Sequence, residues 1–265
     1  MKKLLIASSI AAMGLAAAGT ANAASKTIDG ITFDDGGTVF QIGTVFEDRV
    51  LAPGDILSGI GEITSIFESD AATQTWGSGD NGKELTYRFD GFKLQAVTTT
   101  VSGAELLFSG GSASFYSDAA QDFTSTSGNQ ATDIASASGG NLWLSGDAGV
   151  RLNCPAGICL DEGIGITLVA SVNTATLSAV SGGSGSAFFN LNGGSAFSDF
   201  DTNAISGGFD VSANFSFDDS LATDFDLSGS VDARNIPTSV PEPTSMVLLG
   251  MGLLGFGFTA HKRKV

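Results

Sequence analysis

The 265-residue chain contains one histidine, His261, among its last five residues. Ser-His-Asp and Cys-His catalysis both need an imidazole beside the nucleophile, and the common zinc sites need imidazoles or several thiolates. The body of the chain has no imidazole and only two thiols, Cys154 and Cys159, so these chemistries are excluded there. Basic residues are scarce as well. Twelve Lys and Arg stand against 28 Asp and Glu, with no basic residue between Arg151 and Arg234. Such a surface repels nucleic acid and anionic lipid, so no nucleic-acid partner is expected; it attracts divalent cations. Sustained helical stripes are nearly absent, which argues against a helical bundle.

What is present is clearest at the ends. Met1, Lys2 and Lys3 precede an uncharged apolar run from Leu4 to about Ala18, which closes on Ala21-Asn22-Ala23. A basic start, a short apolar run and a small-x-small site predict a signal peptide, residues 1–23, cleaved after Ala23. No Cys follows that site, so no lipoprotein anchor is expected. At the other end Val240-Pro241-Glu242-Pro243 precedes a charge-free run from Met246 to Ala260, and the chain closes on His261-Lys262-Arg263-Lys264-Val265. At about 1.5 Å per residue the run spans roughly 23 Å, and snorkelling of Lys262, Arg263 and Lys264 covers the shortfall against a ~30 Å bilayer core. The basic cluster places this end on the cytoplasmic side as a stop-transfer signal. Both prolines disfavour helix, so the stretch before the span is expected to be extended and open to cleavage.

This tail resembles the PEP-CTERM sorting signal of Gram-negative bacteria, through Pro241, Glu242 and Pro243, the glycine-rich span and the terminal Lys262, Arg263 and Lys264. The resemblance implies processing by exosortase, a membrane-bound cysteine protease-like sorting enzyme. It also implies a transient inner-membrane intermediate, a final place at the cell surface or in the extracellular matrix, and an association with exopolysaccharide, biofilm and floc formation.

Cutting near Ala23 and Val240 leaves 217 residues, enough for one domain with a sizeable core. Within residues 24–240 there are 7 Lys and Arg and 27 Asp and Glu, a net charge of −20. The expected organisation is a signal peptide (1–23), an all-β extracellular domain (24–227), a linker (228–239) and the sorting signal (240–265). In an exported chain Cys154 and Cys159 are expected to pair as a disulfide that staples a turn.

The apolar pattern of the domain favours period two. Residues 24–36 read as a polar lead. Strands are expected at Thr38–Val45, Glu62–Phe67, Leu85–Phe89, Glu105–Phe108, Ala113–Tyr116, Leu142–Leu144, Gly165–Val172, Thr174–Val180, Ala187–Leu191 and Phe209–Phe217. Glycine pairs such as Gly110-Gly111, Gly139-Gly140, Gly182-Gly183 and Gly193-Gly194 read as turns, and 119–140 as a long loop or two weak strands. These features predict an antiparallel β-sandwich or jelly roll, with a β-solenoid as the second choice.

Few motifs carry chemistry. Gly77 to Lys83 has the spacing of a phosphate loop, yet Glu84 stands where a magnesium-binding Ser or Thr belongs, so a turn feeding a strand is expected. Asp224, Asp226, Ser228, Ser230 and Asp232 match the ligand spacing of a weak calcium loop, with Asn235 where a bidentate Glu belongs. A plain strand and turn competes for the same residues. Asp34-Asp35, Asp161-Glu162 and Asp218-Asp219 are carboxylate pairs of the type a glycosidase uses, and Trp76, Trp143, Tyr87 and Tyr116 could stack on sugar rings. The expected function is a non-enzymatic surface or matrix protein without a cofactor, calcium aside. A carbohydrate-binding module and a polysaccharide-active enzyme are the alternatives.

Overall fold

The structure is a computed structural model describing residues 25–35, 39–68, 72–119, 121–154, 156–219 and 223–236. The expected signal peptide, the sorting motif and the expected membrane helix lie outside these residues. Among the described residues no helix is long and apolar enough to cross a membrane.

The chain is all-β and antiparallel, as its period-two pattern predicts. Its main sheet is one continuous sheet that closes on itself. The order runs β12 (Val211–Asp219), β13 (Leu227–Asn235), β3 (Val39–Glu47), β4 (Ile56–Phe67), β6 (Glu84–Thr100), β7 (Gly103–Asp118), β8 (Asn141–Ala148) and β11 (Gly182–Gly193). Strand β11 then pairs with β12 from Gly182↔Asp218 to Phe189↔Val211, which completes the ring. Strand β10 (Gly165–Val172) continues the position of β8, pairing β7 on one side and β11 on the other. Short β5 (Gln74–Gly77) and β9 (Leu152–Asn153) extend β4 and β10. A closed barrel thus stands where two facing sheets were expected. Both architectures share one alternation along each strand, and closure removes the exposed edges that an open sheet leaves.

The strand that closes the barrel is β13. Residues 228–235, expected as linker, pair along β12 and along β3 from Leu227↔Glu47 to Asn235↔Val39. Buried Gln41 donates from Nε2 to Asn235 Oδ1 at 2.7 Å across this seam. The domain therefore extends through Asn235.

Inside the barrel, aromatic residues face glycines on the neighbouring strand. Gly59 pairs with Phe89, Gly61 with Tyr87, Gly183 with Phe217 and Gly185 with Phe215. A Cβ at Gly185 would fall 2.3 Å from Phe215 Cζ, and one at Gly61 2.4 Å from Tyr87 Cζ. The rings occupy the space that a side chain would need, a large-against-small fit suited to a small barrel. Glycine has a second use in β6 and β7. Gly91, Gly110 and Gly111 take φ of 82°, 68° and 92°, within the left-handed region where glycine is unstrained. Gly110-Gly111, expected as a turn, is instead a bend inside β7, at the level where the partner changes from β10 to β8.

The barrel ends are covered. The expected polar lead is a hairpin of β1 (Ser25–Ile28) and β2 (Ile31–Asp34), joined by Asp29-Gly30 at φ 51° and 85°. Positive φ at both turn residues is the hairpin geometry that Asp-Gly favours. It seats fully buried Ile31 and Phe33 against Trp143 and Phe200, the latter on the single turn α2 (Phe197–Phe200). Trp143 Nε1 donates to Ile28 O at 3.2 Å. Buried Asp210 anchors the segment after α2: its oxygens accept from Leu191, Thr202 and Asn203 amides at 2.8, 2.8 and 2.6 Å. At the opposite end Arg49 donates from Nε to Val180 O at 2.6 Å and pairs with Asp219 and Asp226. Val50, Leu177 and Val180 are buried beneath it. Residues 177–179 form a 3-10 turn there, so the strand expected over Thr174–Val180 is absent.

Part of the outer wall is covered as well. Residues 121–138 contain helix α1 (Gln130–Ser136), capped by the Asn129 side chain, which accepts from the Ala131 and Thr132 amides. This segment and Phe225 bury Ile60 on the outside of β4, together with Phe46, Phe123 and Ile134.

Candidate functional site

The five candidate calcium ligands do not form a loop. Ser228, Ser230 and Asp232 alternate along the outward side of β13, about 7 Å apart in an extended strand. Calcium holds its oxygens at about 2.3–2.6 Å, so one ion cannot reach all three. Asp226 accepts from the Arg49 amide, and the Asp224 amide donates to Ser125 O. The strand-and-turn reading therefore holds over the weaker calcium-loop reading, because cross-strand pairing on both sides of β13 outweighs a local loop.

One acidic triple does converge among the described residues. Carboxylate oxygens of Glu84, Asp118 and Asp122 lie within 4.8 Å of one another, an oxygen set that suits a hard divalent cation. Glu84 also has a structural task. Its two oxygens accept from the Asp122 and Phe123 amides at 3.2 and 3.3 Å, tying the 121–123 segment to β6. Burial raises the Glu84 pKa, and these two amide hydrogen bonds oppose the rise.

The aromatic candidates for sugar stacking are mostly inside. Trp76 and Trp143 are 1% and 0% exposed, core residues and not an open stacking face. Tyr87 is buried and donates to Thr44 O, while Tyr116 is half-buried. The three carboxylate pairs sit in separate places. Asp34 is buried at the end of β2, its pKa raised by burial and by Asp35. Asp161 is exposed and held low by hydrogen bonds from Lys93 and Gln95. Asp218 and Asp219 end β12, beside Arg49. Gly77 to Lys83 forms the expected turn between β5 and β6, with a 3-10 turn at Asp80–Gly82.

Cys154 and Cys159 are disulfide-bonded, as expected of an exported chain. Both are buried against Ala96, Leu107 and Ile166 on the outside of the barrel. The loop is clipped to β6 by Leu160 N to Gln95 O at 3.1 Å and by Lys93 Nζ to Asp161 Oδ2 at 3.0 Å.

A match to a known family falls in the chain's last segment. Residues 239–264 match the PEP-CTERM protein-sorting motif. This match includes Val240, Pro241, Glu242, Pro243 and the basic residues Lys262, Arg263 and Lys264. The PEP-CTERM motif implies an exported protein that is sorted through the membrane and processed by exosortase. No curated protein and no solved structure matches the chain.

One polar group in the interior had no signal in the sequence. Glu47 takes an inward position on β3, in line with Val39, Gln41 and Val45, and is 3% exposed. Burial, with a smaller contribution from Asp48, pushes its carboxyl up to about 8. No residue among those described donates to it. Glu47 also contributes to the raised pKa of Tyr87, whose main cause is burial.

Proposed function

We propose that the protein is an exported, non-enzymatic β-barrel which exosortase releases from the inner membrane and which then joins the cell surface or exopolysaccharide matrix, in keeping with a role in biofilm or floc formation. The observation that carries this reading is the PEP-CTERM match at residues 239–264, which begins four residues after the barrel-closing strand ends at Asn235. The folded body and the sorting signal are thus joined by almost no intervening chain. Replacing Pro241, Glu242 and Pro243 together by alanine is expected to leave a membrane-bound precursor in fractionated cells. Mature protein in the medium from that variant would overturn the sorting reading.

The charge supports a way of joining the matrix. A body of net charge −20 without histidine cannot grip an anionic polysaccharide by direct ion pairing. Bridging divalent cations supply the attraction, since a carboxylate–cation–carboxylate contact is direct coordination that monovalent salt screens weakly. A chelator is expected to strip the protein from isolated matrix, and added calcium to restore it. Equal release by chelator and by monovalent salt of matched ionic strength would remove the bridging idea. Buried Trp76 and Trp143 weigh against the sugar-stacking alternative.

A further inference from the structure

From the barrel interior we infer a second function: the lumen binds a small apolar molecule carrying one hydrogen-bonding oxygen, with Glu47 as the group that recognises that oxygen. Two voids share Glu47, Leu57 and Phe215 in their walls. The larger, about 70 Å³, lies mid-barrel between aromatic residues such as Phe89 and Phe115 and a wall of small ones, Ala113, Ala187, Ala213 and Ala233. The smaller, about 30 Å³, leads from Glu47 and Leu57 toward Arg49 and Val180. Apart from Glu47, the polar side chain in the larger void's wall is that of Tyr87, whose hydroxyl already donates to Thr44 O.

Two features here cost stability and coincide in space. A void lined by alanine could be filled by a larger apolar side chain at no chemical penalty, and an unfilled one forfeits packing. A buried carboxyl with no hydrogen-bond partner is also unfavourable. A ligand of about four heavy atoms spanning the voids would remove both costs at once, judged against the six-heavy-atom benzene that an apolar cavity of about 150 Å³ admits. The oxygen must accept a hydrogen bond. Burial keeps Glu47 protonated at neutral pH, so it offers an O–H donor. A ketone, an alcohol or an ether fits; a carboxylate would bring a second negative charge toward Asp48 and a desolvation cost. Entry lies at the Arg49 end, where the smaller void approaches Arg49, Val50 and the 177–180 turn.

The test uses the full-length chain in lipid nanodiscs, so that no detergent competes for the lumen, with acetone and isobutane as probes. Methyl NMR of the unaltered protein should show acetone shifting the methyls of Ala113, Ala187, Ala213 and Val231 to saturation, with an affinity at least tenfold above that of isobutane. Ala213→Leu, which fills the lumen, should abolish those shifts. Glu47→Leu should equalise the two probes, while Glu47→Gln, which keeps an N–H donor, should retain the preference. Absence of methyl shifts at saturating acetone in the unaltered protein would overturn the proposal whether or not any variant folds. Equal affinity of the two probes would overturn the role of Glu47. The readout does not depend on sorting, so failure here leaves the exosortase reading untouched.

Discussion

Replacing Gly185 by valine is expected to lower the melting temperature of the barrel by about 10 °C, from overpacking of about 3 kcal/mol in a domain of this size. Gly185 sits in β11 directly opposite Phe215 of β12. A Cβ there would meet Phe215 Cζ at 2.3 Å and Cε2 at 2.5 Å, while the nearest backbone atom, Val169 O, is 3.1 Å away. The conflict is therefore with the ring, and the ring cannot move outward without losing its place in the lumen wall. Shrinking the ring should relieve it. Gly185→Val combined with Phe215→Leu is expected to cost less than the sum of the two single changes, by about 1 kcal/mol or more in a thermal or denaturant unfolding cycle. Strict additivity would show that the aromatic-over-glycine fit does not govern the packing. Gly139→Ala serves as the control, because its nearest neighbour, Asp118 Oδ2, would be at 3.4 Å, an ordinary contact with a side-chain tip. It should change stability by no more than about 0.5 kcal/mol.

The second large effect concerns pH. Glu47 has a folded-state pKa of about 8 against an ordinary value of 4.5. Between those values the native protein holds a proton that the unfolded chain has released. Stability therefore falls as pH rises through this window, at up to about 1.4 kcal/mol per pH unit from this group, and levels off above about pH 8. Below about pH 4.5 both states are protonated and the group contributes nothing. Glu47→Gln removes the proton while keeping the shape. The variant is expected to match the unaltered protein near pH 4.5 and to exceed it by about 2–4 kcal/mol at pH 8.5. Of the other groups near Glu47, Asp48 accepts from Gln130, Arg49 is directed to Asp219 and Asp226, and Tyr87 remains neutral throughout. Asp34 and Glu84 also have raised pKa values and add slope of the same sign, but they do so in both proteins, so the difference isolates Glu47. Denaturant midpoints measured across pH 4.5–9 would decide it. Parallel curves for the two proteins would mean that Glu47 is not held in a dry interior.

Much of the local structure was open to reading from residues alone. The alternation of Val211, Ala213, Phe215 and Phe217 with Ser212, Asn214 and Ser216 is a strand under any fold, because side chains repeat every second residue on one face. The Ala52–Asp55 turn and the Cys154–Cys159 pair follow from turn chemistry and from export. Asp29-Gly30, flanked by Thr27, Ile28, Ile31 and Phe33, carried a hairpin signal that the polar surroundings masked. Its role as an end cap for the barrel depends on Trp143 and Phe200, more than a hundred residues away in sequence.

The inward position of Glu47 could not be read from its strand. Residues 39–47 carry apolar residues on both faces: Val39 and Val45 look into the lumen, while Phe46 lies under Phe123 and Phe225 outside. When both faces are apolar, alternation does not say which one is the interior, and a one-residue change of register exchanges them. The same ambiguity left β13 undecided. Leu227 to Asn235 is short of large apolar residues and rich in Ser, Gly and Asp, so it reads as linker, as a weak calcium loop or as a strand and turn; pairing with β3 and β12 along its whole length decides for the strand.

By itself, then, the sequence determined the chain's sorting motif and its secondary-structure class. A sorting motif is read by an enzyme as a linear segment, and strand alternation is a property of neighbouring residues. Closure of the sheet, the facing of glycine by aromatic rings, the burial of Trp76 and Trp143, and the meeting of Glu47 with a void were decided by tertiary structure. Each depends on pairing between residues far apart in the chain, such as Glu47 with Leu227 and Gly185 with Phe215, and local composition carries no record of which distant strand will supply the partner.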